Sequence, residues 1–369
     1  MKINIISTGR FHLLDIAREL SLQGNNVRFY SYVSSKRCEK YGLNKNLSVN
    51  FIWLAAPFLL LNKIFPKCLT ITRIRNIVID YYVAITMRKC DVLICLGSVY
   101  NYSLRKAKKN GSVTILEWGS LHILEQLKLF GENHPKWSIK NELWEYEECD
   151  YISIAANHVA KSFIDNGVNG SKLLVNPYGV DLSQFGPTTY TGQYDLIYVG
   201  GWRKEKGCEL LIQLCEEHPE IKLIHIGALI NLEFPKFNNM THIEAVDQKE
   251  LIKYYSQAKV FVLPSKADGF GMVLSQAMVC GLPLIYSKYT GGSTLKDLIQ
   301  AKDYLFEMQN LDWKSIYQCY LKAKNLSDSM PSKRNYLGDS IINITWKAYG
   351  IRYNTNINNI INESKRYYN

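Results

Sequence analysis

The sequence predicts an α/β protein built from two doubly wound, parallel-sheet domains. Short apolar runs that end at turns alternate with segments of helical apolar spacing, a pattern typical of parallel strands joined by helices. At residues 176–187 (NPYGVDLSQFGP) two prolines and two glycines interrupt this alternation, which then restarts. The length of 369 residues also exceeds what one hydrophobic core normally supports. We therefore expect one domain over 1–185 and a second over 190–345, facing each other across a cleft.

The first half opens with a strand, a polar turn, a helix and a second strand. The strand KINIIS leads through TGRFH into LLDIARELSLQG, a helix that should stop at Gly24, and NVRFYSYV follows. Further strands are expected at CDVLICLG, SVTILEWGS and CDYISIAA. This order places the first turn at the carboxyl edge of a parallel sheet, where ligands of such folds bind.

The second half repeats this alternation of strands and helices. Strands are expected at YDLIYVGG, IKLIHIG, KVFVLPS and LPLIYS, with helices at ELLIQLCEEH and GMVLSQAMVCG. A polar, Asn-rich tail follows residue 350.

Composition excludes several classes of protein. With 47% hydrophobic residues the chain can bury a core, which argues against extended disorder. Nine cysteines stand singly, without a Cys-x-x-Cys pair, which disfavours a disulfide framework and a zinc cluster. No secretory signal is visible, so a cytoplasmic location is expected. The net charge of +11 favours a phosphate-bearing partner, and residues 1–190 carry +8 of it, but charge alone does not distinguish nucleotide, lipid and nucleic acid.

The longest apolar stretch, Phe51–Leu61, is too short to span a bilayer and contains a proline. Two interpretations stay open: a buried segment with a solvated basic flank, or peripheral contact with the anionic inner face of the cell membrane. The cations that follow the stretch are Lys63, Lys67, Arg73, Arg75, Arg88 and Lys89.

Two blocks in the second half have the composition of an anion site. In YVGGWRKEKG a strand ends in Gly200 and Gly201, and the cations Arg203, Lys204 and Lys206 follow. Glycines let a ligand approach the backbone closely, and the cations would neutralise the charge of a diphosphate. In KVFVLPSKADGFGMVLSQAM a loop, residues 268–271, precedes a helix expected to begin near Met272, whose dipole favours an anion. Asp268 and Gln276 are eight positions apart and could face one ligand. A solvated loop and an ordinary strand-loop-helix unit are the plain alternatives.

Together these blocks resemble the retaining GT-B glycosyltransferases, in particular glycosyltransferase family 4 (glycosyl transferases group 1). The family segments G-R-x-x-x-E-K-G and E-G-F-G-x-x-x-x-E-A-M-A-x-G-x-P-V-I read here GGWRKEKG and DGFGMVLSQAMVCGLPLI. EWGSLHILEQ, ELWEYEECDYISIAANHVAKSFIDNGV and KLLVNPYGVDLSQFGP resemble the family's acceptor-domain and linker sequences. The resemblance implies two Rossmann-like domains, acceptor-binding over 1–185 and nucleotide-sugar-binding over 190–345, with helix 350–369 joining the first.

The resemblance also implies roles for individual residues. Lys206 would contact the donor diphosphate, the amides of Gly269, Phe270 and Gly271 would face the donor sugar and phosphate, and Gly9 would approach the diphosphate from the first domain. Asp268 stands at the glutamate that contacts sugar hydroxyls, and Gln276 at the glutamate that holds the ribose.

This chain departs from the family pattern at three of these positions. Asp268 and Gln276 replace the two glutamates, and Gly201 stands at the family arginine, so Arg203 is expected to take over its role. The changed glutamates leave the identity of the sugar and the rate of transfer open.

For the acceptor side the candidate general bases are Glu117 and His122 in EWGSLH, with His12 as a third; a packed role is an equal alternative for Glu117 and His122. His158, His218, His225 and His242 are expected to be ordinary surface or core residues.

The resemblance implies transfer of a sugar, with retention of configuration, from a UDP- or GDP-sugar to a hydroxyl of a glycan or lipid-linked acceptor. No Asp-x-Asp motif is present, so we expect no metal and no other cofactor, the nucleotide-sugar being a substrate. A pathway of bacterial surface polysaccharide or lipopolysaccharide synthesis would fit the family. A GT-B relative that binds sugar or nucleotide without turnover is the alternative, whereas nucleic acid is not expected because the basic residues are dispersed.

Overall fold

The computed structural model describes residues 1–66, 68–131 and 134–368. Two compact units make up this part of the chain. The first unit comprises Met1–Ile154, Phe163–Asn176 and the chain from Gly350 on, and the second comprises Ala155–Ser162 and Pro177–Tyr349.

The first unit contains a sheet of seven parallel strands. They are β1 (Lys2–Ser7), β2 (Asn26–Ser31), β3 (Ser48–Asn50), β4 (Val92–Leu96), β5 (Val113–Trp118), β6 (Tyr151–Ile154) and β7 (Leu173–Val175), in the order β3-β2-β1-β4-β5-β6-β7. The strands alternate with α1 (Leu13–Leu22), α2 (Ser35–Lys40), α3 (Ile52–Ile64), α4 (Leu69–Thr86), α5 (Asn101–Lys109), α6 (Ile123–Phe130), α7 (Lys136–Glu148) and α8 (Asn157–Asp165). Because all strands are parallel, the turns after β1 and β5 lie at the same edge of the sheet.

The second unit contains a sheet of six parallel strands. They are β8 (Tyr194–Val199), β9 (Leu223–Ile226), β10 (Met240–Ile243), β11 (Ala258–Leu263), β12 (Leu284–Tyr286) and β13 (Leu305–Glu307), in the order β10-β9-β8-β11-β12-β13. The helices are α9 (Cys208–Glu217), α10 (Leu251–Tyr255), α11 (Met272–Val279), α12 (Gly292–Lys296), α13 (Trp313–Ser329) and α14 (Trp346–Tyr368). β8 and β11 are neighbours at the centre of this sheet, so the two blocks singled out in the sequence follow adjacent strands.

Apolar side chains explain why these segments become central strands. Ile3 and Ile5 of β1, and Ile197 and Phe261 of the second sheet, are fully buried because helices cover both faces. The predicted fold class, two doubly wound parallel-sheet α/β units, is confirmed.

From Gly350 on, α14 belongs to the first unit. A Cβ at Gly350 would lie 2.3 Å from Glu19 Cβ, so glycine allows α14 to cross α1 closely. Farther along, Asn25 Nδ2 donates to Asn354 Oδ1, and Arg352 Nε donates to Asn176 Oδ1. The expected last helix, 350–369, ends at Asn369, which lies outside the described residues.

The apolar stretch at residues 51–61 forms most of α3, and most of its side chains are partly or fully exposed to solvent. Within the stretch only Phe51 and Ala55 are buried, whereas Trp53 and Leu60 are each 61% exposed. The interpretation of this stretch as a buried segment is therefore wrong. No helix of the described chain has both the length and the apolar character needed to cross a membrane. Lys67, one of the predicted flanking cations, lies outside the described residues.

A buried carboxyl on α7 makes the stability of the first unit depend on pH. Glu145 is 1% exposed, and burial raises its pKa to about 8, although the Ser98 N–H and the Asn141 amide donate to its oxygens. Between the ordinary value of 4.5 and about 8, the folded chain keeps a proton that the unfolded chain has lost. The neutral carboxyl of Glu145 therefore contributes in full to the free energy of unfolding below about pH 4.5, and this contribution is lost as the pH rises through about 8.

We expect Glu145→Gln to remove this loss, because glutamine does not ionise. Between about pH 5 and about pH 8.5, the wild type should lose ~2–4 kcal/mol more of its free energy of unfolding than the variant. Urea unfolding at both pH values measures this, with Glu147→Gln, an exposed carboxyl on the same helix, as the matched control. Identical pH dependence of Glu145→Gln and the wild type would show that Glu145 ionises normally.

Candidate functional site

The turn after β8 is held by two side chains that donate to its carbonyl oxygens. Tyr198 Oη donates to the Gly201 carbonyl at 2.9 Å, and His225 Nε2 donates to the Gly200 carbonyl at 2.8 Å. Gly200 has a φ of +146°, which favours glycine. The imidazole of His225 is fully buried, and burial lowers its pKa to about 4, so it is neutral and can donate from Nε2. His225 therefore supports the turn, a role that the sequence did not indicate.

Two predicted cations follow this turn. The Nε of Arg203 is buried and has no hydrogen-bond partner among the described residues. It lies 3.5 Å from the position that a Cβ at Gly201 would occupy. Lys206 ends a short 3₁₀ turn, and Gly207 then begins α9 with a φ of +70°. A Cβ at Gly207 would lie 2.1 Å from the Pro264 carbonyl oxygen. Glycine therefore allows the turn that carries Lys206 to lie directly against the residue that follows β11.

The loop after β11 presents backbone amides at the N-terminus of α11. The helix begins at Met272, as predicted, and Gly271 precedes it with a φ of +78°. A Cβ at Gly271 would lie 2.7 Å from the Leu263 side chain. Within the described chain the amides of Gly269 and Gly271 have no hydrogen-bond partner. Free amides at the positive end of a helix dipole form an anion site.

Asp268 connects this loop with Lys206. Its Oδ2 lies 2.5 Å from Lys206 Nζ, and its Oδ1 accepts from the Phe270 N–H at 3.3 Å. The Phe270 ring is buried, 5.5 Å from the ring of Tyr178. The expectation that the Phe270 amide faces a ligand therefore needs correction, because that amide already bonds to Asp268 and the ring anchors the loop.

Gln276 lies in the second turn of α11 and is 6% exposed. Its Oε1 accepts from the Tyr255 hydroxyl at 3.3 Å, which leaves the Nε2 hydrogens for another acceptor. Asp268 precedes the helix and is tied to Lys206. The two side chains thus have different partners, and their predicted roles toward sugar and ribose stay predictions.

Sequence reasoning missed His158 and Ser265. His158 Nε2 lies 2.6 Å from the Asp268 carbonyl oxygen, and burial lowers the pKa of this imidazole, which favours the neutral form that donates there. The Nδ1 of His158 and the Oγ of Ser265 are buried without a partner in the described part of the chain. No spacing signal could have revealed His158, because it lies 110 residues before Asp268.

In the first unit, Glu117 pairs with His12. Glu117 is the last residue but one of β5 and is 1% exposed, and its Oε2 lies 2.8 Å from His12 Nε2. Its Oε1 accepts from the Tyr353 hydroxyl at 2.6 Å. The carboxylate therefore has two fixed partners, and the imidazole is oriented by a buried acid. This arrangement of a base held by a carboxylate is the one used in general base catalysis.

His122 is not part of this pair. Its Nδ1 accepts from the Leu124 N–H at 3.2 Å and caps α6, while its ring packs between Tyr146 and Phe163. Burial lowers the pKa of His122 to about 4. His122 therefore takes the packed role that was the alternative to its role as a candidate base, and His12 is the histidine beside Glu117.

Gly9 lies in the turn after β1 that also carries His12. Its amide N–H donates to Ser7 Oγ at 3.3 Å, and Ser7 Oγ donates to its carbonyl oxygen at 2.7 Å. The predicted approach of Gly9 to a diphosphate stays a prediction.

The arrangement in the second unit fits an anion with at least one phosphate. Lys206, the unpaired Arg203 Nε and the amides of Gly269 and Gly271 supply positive charge and donors around the ends of β8 and β11. Over residues 1–66, 68–131 and 134–368, no three or more His, Cys, Asp or Glu side chains are grouped to hold a metal ion. The fold and this arrangement define an α/β unit of the doubly wound class, with donor groups suited to an anion at the ends of two central strands.

Comparison with known proteins specifies that class. Residues 181–314 match the family described as Glycosyl transferases group 1, so the second unit carries a domain of this family. The glycosyltransferase MJ1178 of Methanocaldococcus jannaschii, described as uncharacterized, is 32% identical over 107 residues, which are 27% of this chain and 30% of that protein. The D-inositol 3-phosphate glycosyltransferase of Pseudarthrobacter chlorophenolicus is 26% identical over 166 residues, 38% of this chain and 40% of that protein. The matched segments thus span less than half the length of these curated relatives.

The whole chain resembles solved GT-B glycosyltransferases in fold. Anabaena HepE, solved in complex with UDP and glucose, aligns over 97% of this chain and all of its own, with a TM-score of 0.65 and 13% sequence identity. At that identity the likeness shows the fold alone. The predicted resemblance to a group 1 glycosyltransferase of the GT-B fold is confirmed.

Proposed function

We propose that this protein is a glycosyltransferase that moves a sugar from a UDP- or GDP-sugar to a hydroxyl group, without a metal ion and with retention of configuration. One observation carries the proposal. Lys206, the unpaired Arg203 Nε and the free amides before α11 stand in the two loops that follow the neighbouring strands β8 and β11, and Lys206 pairs with Asp268 of the second loop, in a domain of the glycosyl transferases group 1 family. A nucleoside diphosphate supplies the acceptor oxygens that these donors lack.

In the proposed reaction the bond between the anomeric carbon and the diphosphate oxygen breaks, and the electron pair leaves with the diphosphate. The acceptor oxygen bonds to the anomeric carbon, and its proton passes to a base, for which the His12–Glu117 pair is the candidate. Negative charge accumulates on the leaving diphosphate, so Lys206 and the amides bind it more tightly in the transition state. When the donor binds, Lys206 would turn from Asp268 to the diphosphate, and Asp268 would accept from a sugar hydroxyl.

We propose a glycan on a lipid carrier as the acceptor, at the inner face of the cell membrane, in bacterial surface polysaccharide or lipopolysaccharide synthesis. The charge of the acceptor half supports this, because residues 1–190 hold 23 Lys and Arg against 15 Asp and Glu. For the donor, the support comes from a protein of the same fold: Anabaena HepE was solved with UDP and glucose bound, which favours a nucleotide-sugar here as well.

A screen of UDP- and GDP-sugars by thermal unfolding tests the donor. We expect one donor to raise the melting temperature clearly, because a ligand at about 100 times its Kd adds ~2.7 kcal/mol to the free energy of unfolding. Chelator-treated protein should respond equally. If no nucleotide shifts the transition of chelator-treated protein, metal-independent donor binding is wrong.

The alternative is a binding protein without turnover, which Asp268 and Gln276 at the two family glutamates favour. Release of sugar from the donor identified in the screen distinguishes the two. Binding without release of sugar, with a range of hydroxyl acceptors, would favour the binding protein.

A further inference from the structure

Helix α3 is apolar on every side and yet lies at the surface. Of its thirteen residues (IWLAAPFLLLNKI) only Asn62 and Lys63 are polar. A soluble helix that is apolar all round is normally buried, but α3 buries only Ala55. Its outward side chains include Trp53, Leu60 and Ile64, the last 68% exposed. Exposure of the outer face of α3 to water is therefore unfavourable.

Helix α4 extends this apolar surface. Leu69, Ile74 and Tyr81 are exposed on it, and Phe65 is exposed in the connection between the helices. Of the 25 large apolar side chains that are exposed in the described chain, 11 lie between residues 52 and 85. An exposed patch of this density on a folded surface marks an interaction site.

Specific side-chain contacts hold α3 and α4 together. The Trp53 ring packs edge-on against Tyr82, with ring centroids 5.5 Å apart, and Asn62 Nδ2 donates to Thr72 Oγ1 at 3.2 Å. The inner side of α4 is buried through Ile79. The apolar surface is thus built into the first unit.

The charge around this surface is of one sign. No Asp or Glu occurs from residue 40 to residue 79, a stretch that holds six Lys and Arg, and Asp80, the next acid, is buried. Lys63 and Arg73 are exposed beside the apolar side chains. An apolar face bordered by cations and without carboxylates matches a layer of anionic headgroups above acyl chains.

We propose that the outer face of the α3–α4 pair binds an anionic lipid bilayer, with α3 lying in the interface. Thirteen residues extend about 20 Å, which suits a helix in the plane of the interface rather than across it. Trp53 stands on the outer face, and tryptophan favours the headgroup level. A second copy of this chain is a poor occupant, because a two-fold contact would bring the cations of both copies together without carboxylates between them.

Co-sedimentation of the full chain with lipid vesicles tests the proposal. We expect binding to vesicles of phosphatidylcholine and phosphatidylglycerol in equal parts, and much weaker binding to phosphatidylcholine alone. The double variant Leu60→Ser/Ile64→Ser should raise the Kd for mixed vesicles at least about tenfold. The matched control is Leu321→Ser/Ile342→Ser, which changes two exposed apolar side chains of the second unit and should bind like the wild type.

A second pair of variants tests the charge. Lys63→Gln/Arg73→Gln should weaken binding to mixed vesicles by about fivefold per cation, whereas Lys249→Gln/Lys302→Gln, two exposed lysines of the second unit, should not. Equal binding of the Leu60/Ile64 variant and its control would overturn the proposal. So would a concentration-dependent dimer of the wild type in sedimentation velocity that the Leu60/Ile64 variant abolishes, since a second copy would then cover this face. Donor-induced stabilisation, measured on the same variants, reports separately on the proposed transfer activity.

Discussion

Replacing Lys206 by alanine is expected to lower kcat/KM for sugar transfer by about 30- to 900-fold, or ~2–4 kcal/mol of barrier. The ammonium of Lys206 lies 2.5 Å from Asp268 Oδ2 and beside the free amides before α11, and its side chain is 26% exposed. A ligand can therefore reach it. In the proposed reaction Lys206 opposes the charge that accumulates on the leaving diphosphate, an interaction that alanine cannot make. Steady-state kinetics with the donor identified by thermal unfolding measures the effect.

The matched control is Lys204→Ala. Lys204 is exposed and stands two residues earlier in the same 3₁₀ turn, so kcat/KM should change by less than about twofold. Calorimetry with the nucleoside diphosphate separates ligand binding from a purely structural role. Lys206→Ala should weaken binding, while Asp268→Asn should preserve or strengthen it, because it frees Lys206. If both variants weaken binding alike, Lys206 acts only by joining the two loops.

Glu117→Gln is expected to lower turnover by about 100-fold or more. The carboxylate accepts from Tyr353 at 2.6 Å and lies 2.8 Å from His12 Nε2, so it orients the imidazole. Glutamine keeps the shape and an acceptor oxygen but removes the charge. Affinity for the donor should stay unchanged, because the candidate donor-binding residues other than Gly9 lie in the second unit.

Two further variants show which histidine acts with Glu117. His12→Phe should lower turnover about as much as Glu117→Gln does. His122→Phe keeps an aromatic ring against Tyr146 and loses the bond from the Leu124 amide, so turnover should change by less than about threefold, with a loss of ~1 kcal/mol of stability. A large loss of turnover in His122→Phe together with near-normal turnover in His12→Phe would show that the assignment to His12 is wrong.

Local signals explain why much of the fold was predictable. The strands around β1, β4, β8 and β11 are apolar runs bounded by turns, and such runs form parallel strands under most packings because helices bury both of their faces. The start of α11 at Met272 follows from the glycine before it. The two loops of the candidate site were also predictable, since residues close in sequence carry both the glycine geometry and the cations.

Side-chain partners were less predictable than elements. His158 and His225 were assigned ordinary roles, yet each donates to a carbonyl oxygen of a loop in the candidate site. His122 was named before His12 because the segment EWGSLH resembles a family motif, but the turn after β1 brings His12 to Glu117 across 105 residues of sequence. The same limit applied to α3, because the sequence of an apolar stretch does not show which of its sides will be covered by other parts of the folded chain.

The amino-acid sequence by itself determined the parallel α/β class, the glycines and lysines of the two loops after β8 and β11, and the single-signed charge of residues 40–79. These properties depend on residue type and short spacing, which are present before the chain folds. Only the tertiary structure decided that Glu117 bonds to His12 and Tyr353, that Asp268 holds Lys206, and that α3 turns its apolar face outward. Such contacts depend on which strands become neighbours and which surfaces stay uncovered, and that is set by packing between segments far apart in the chain.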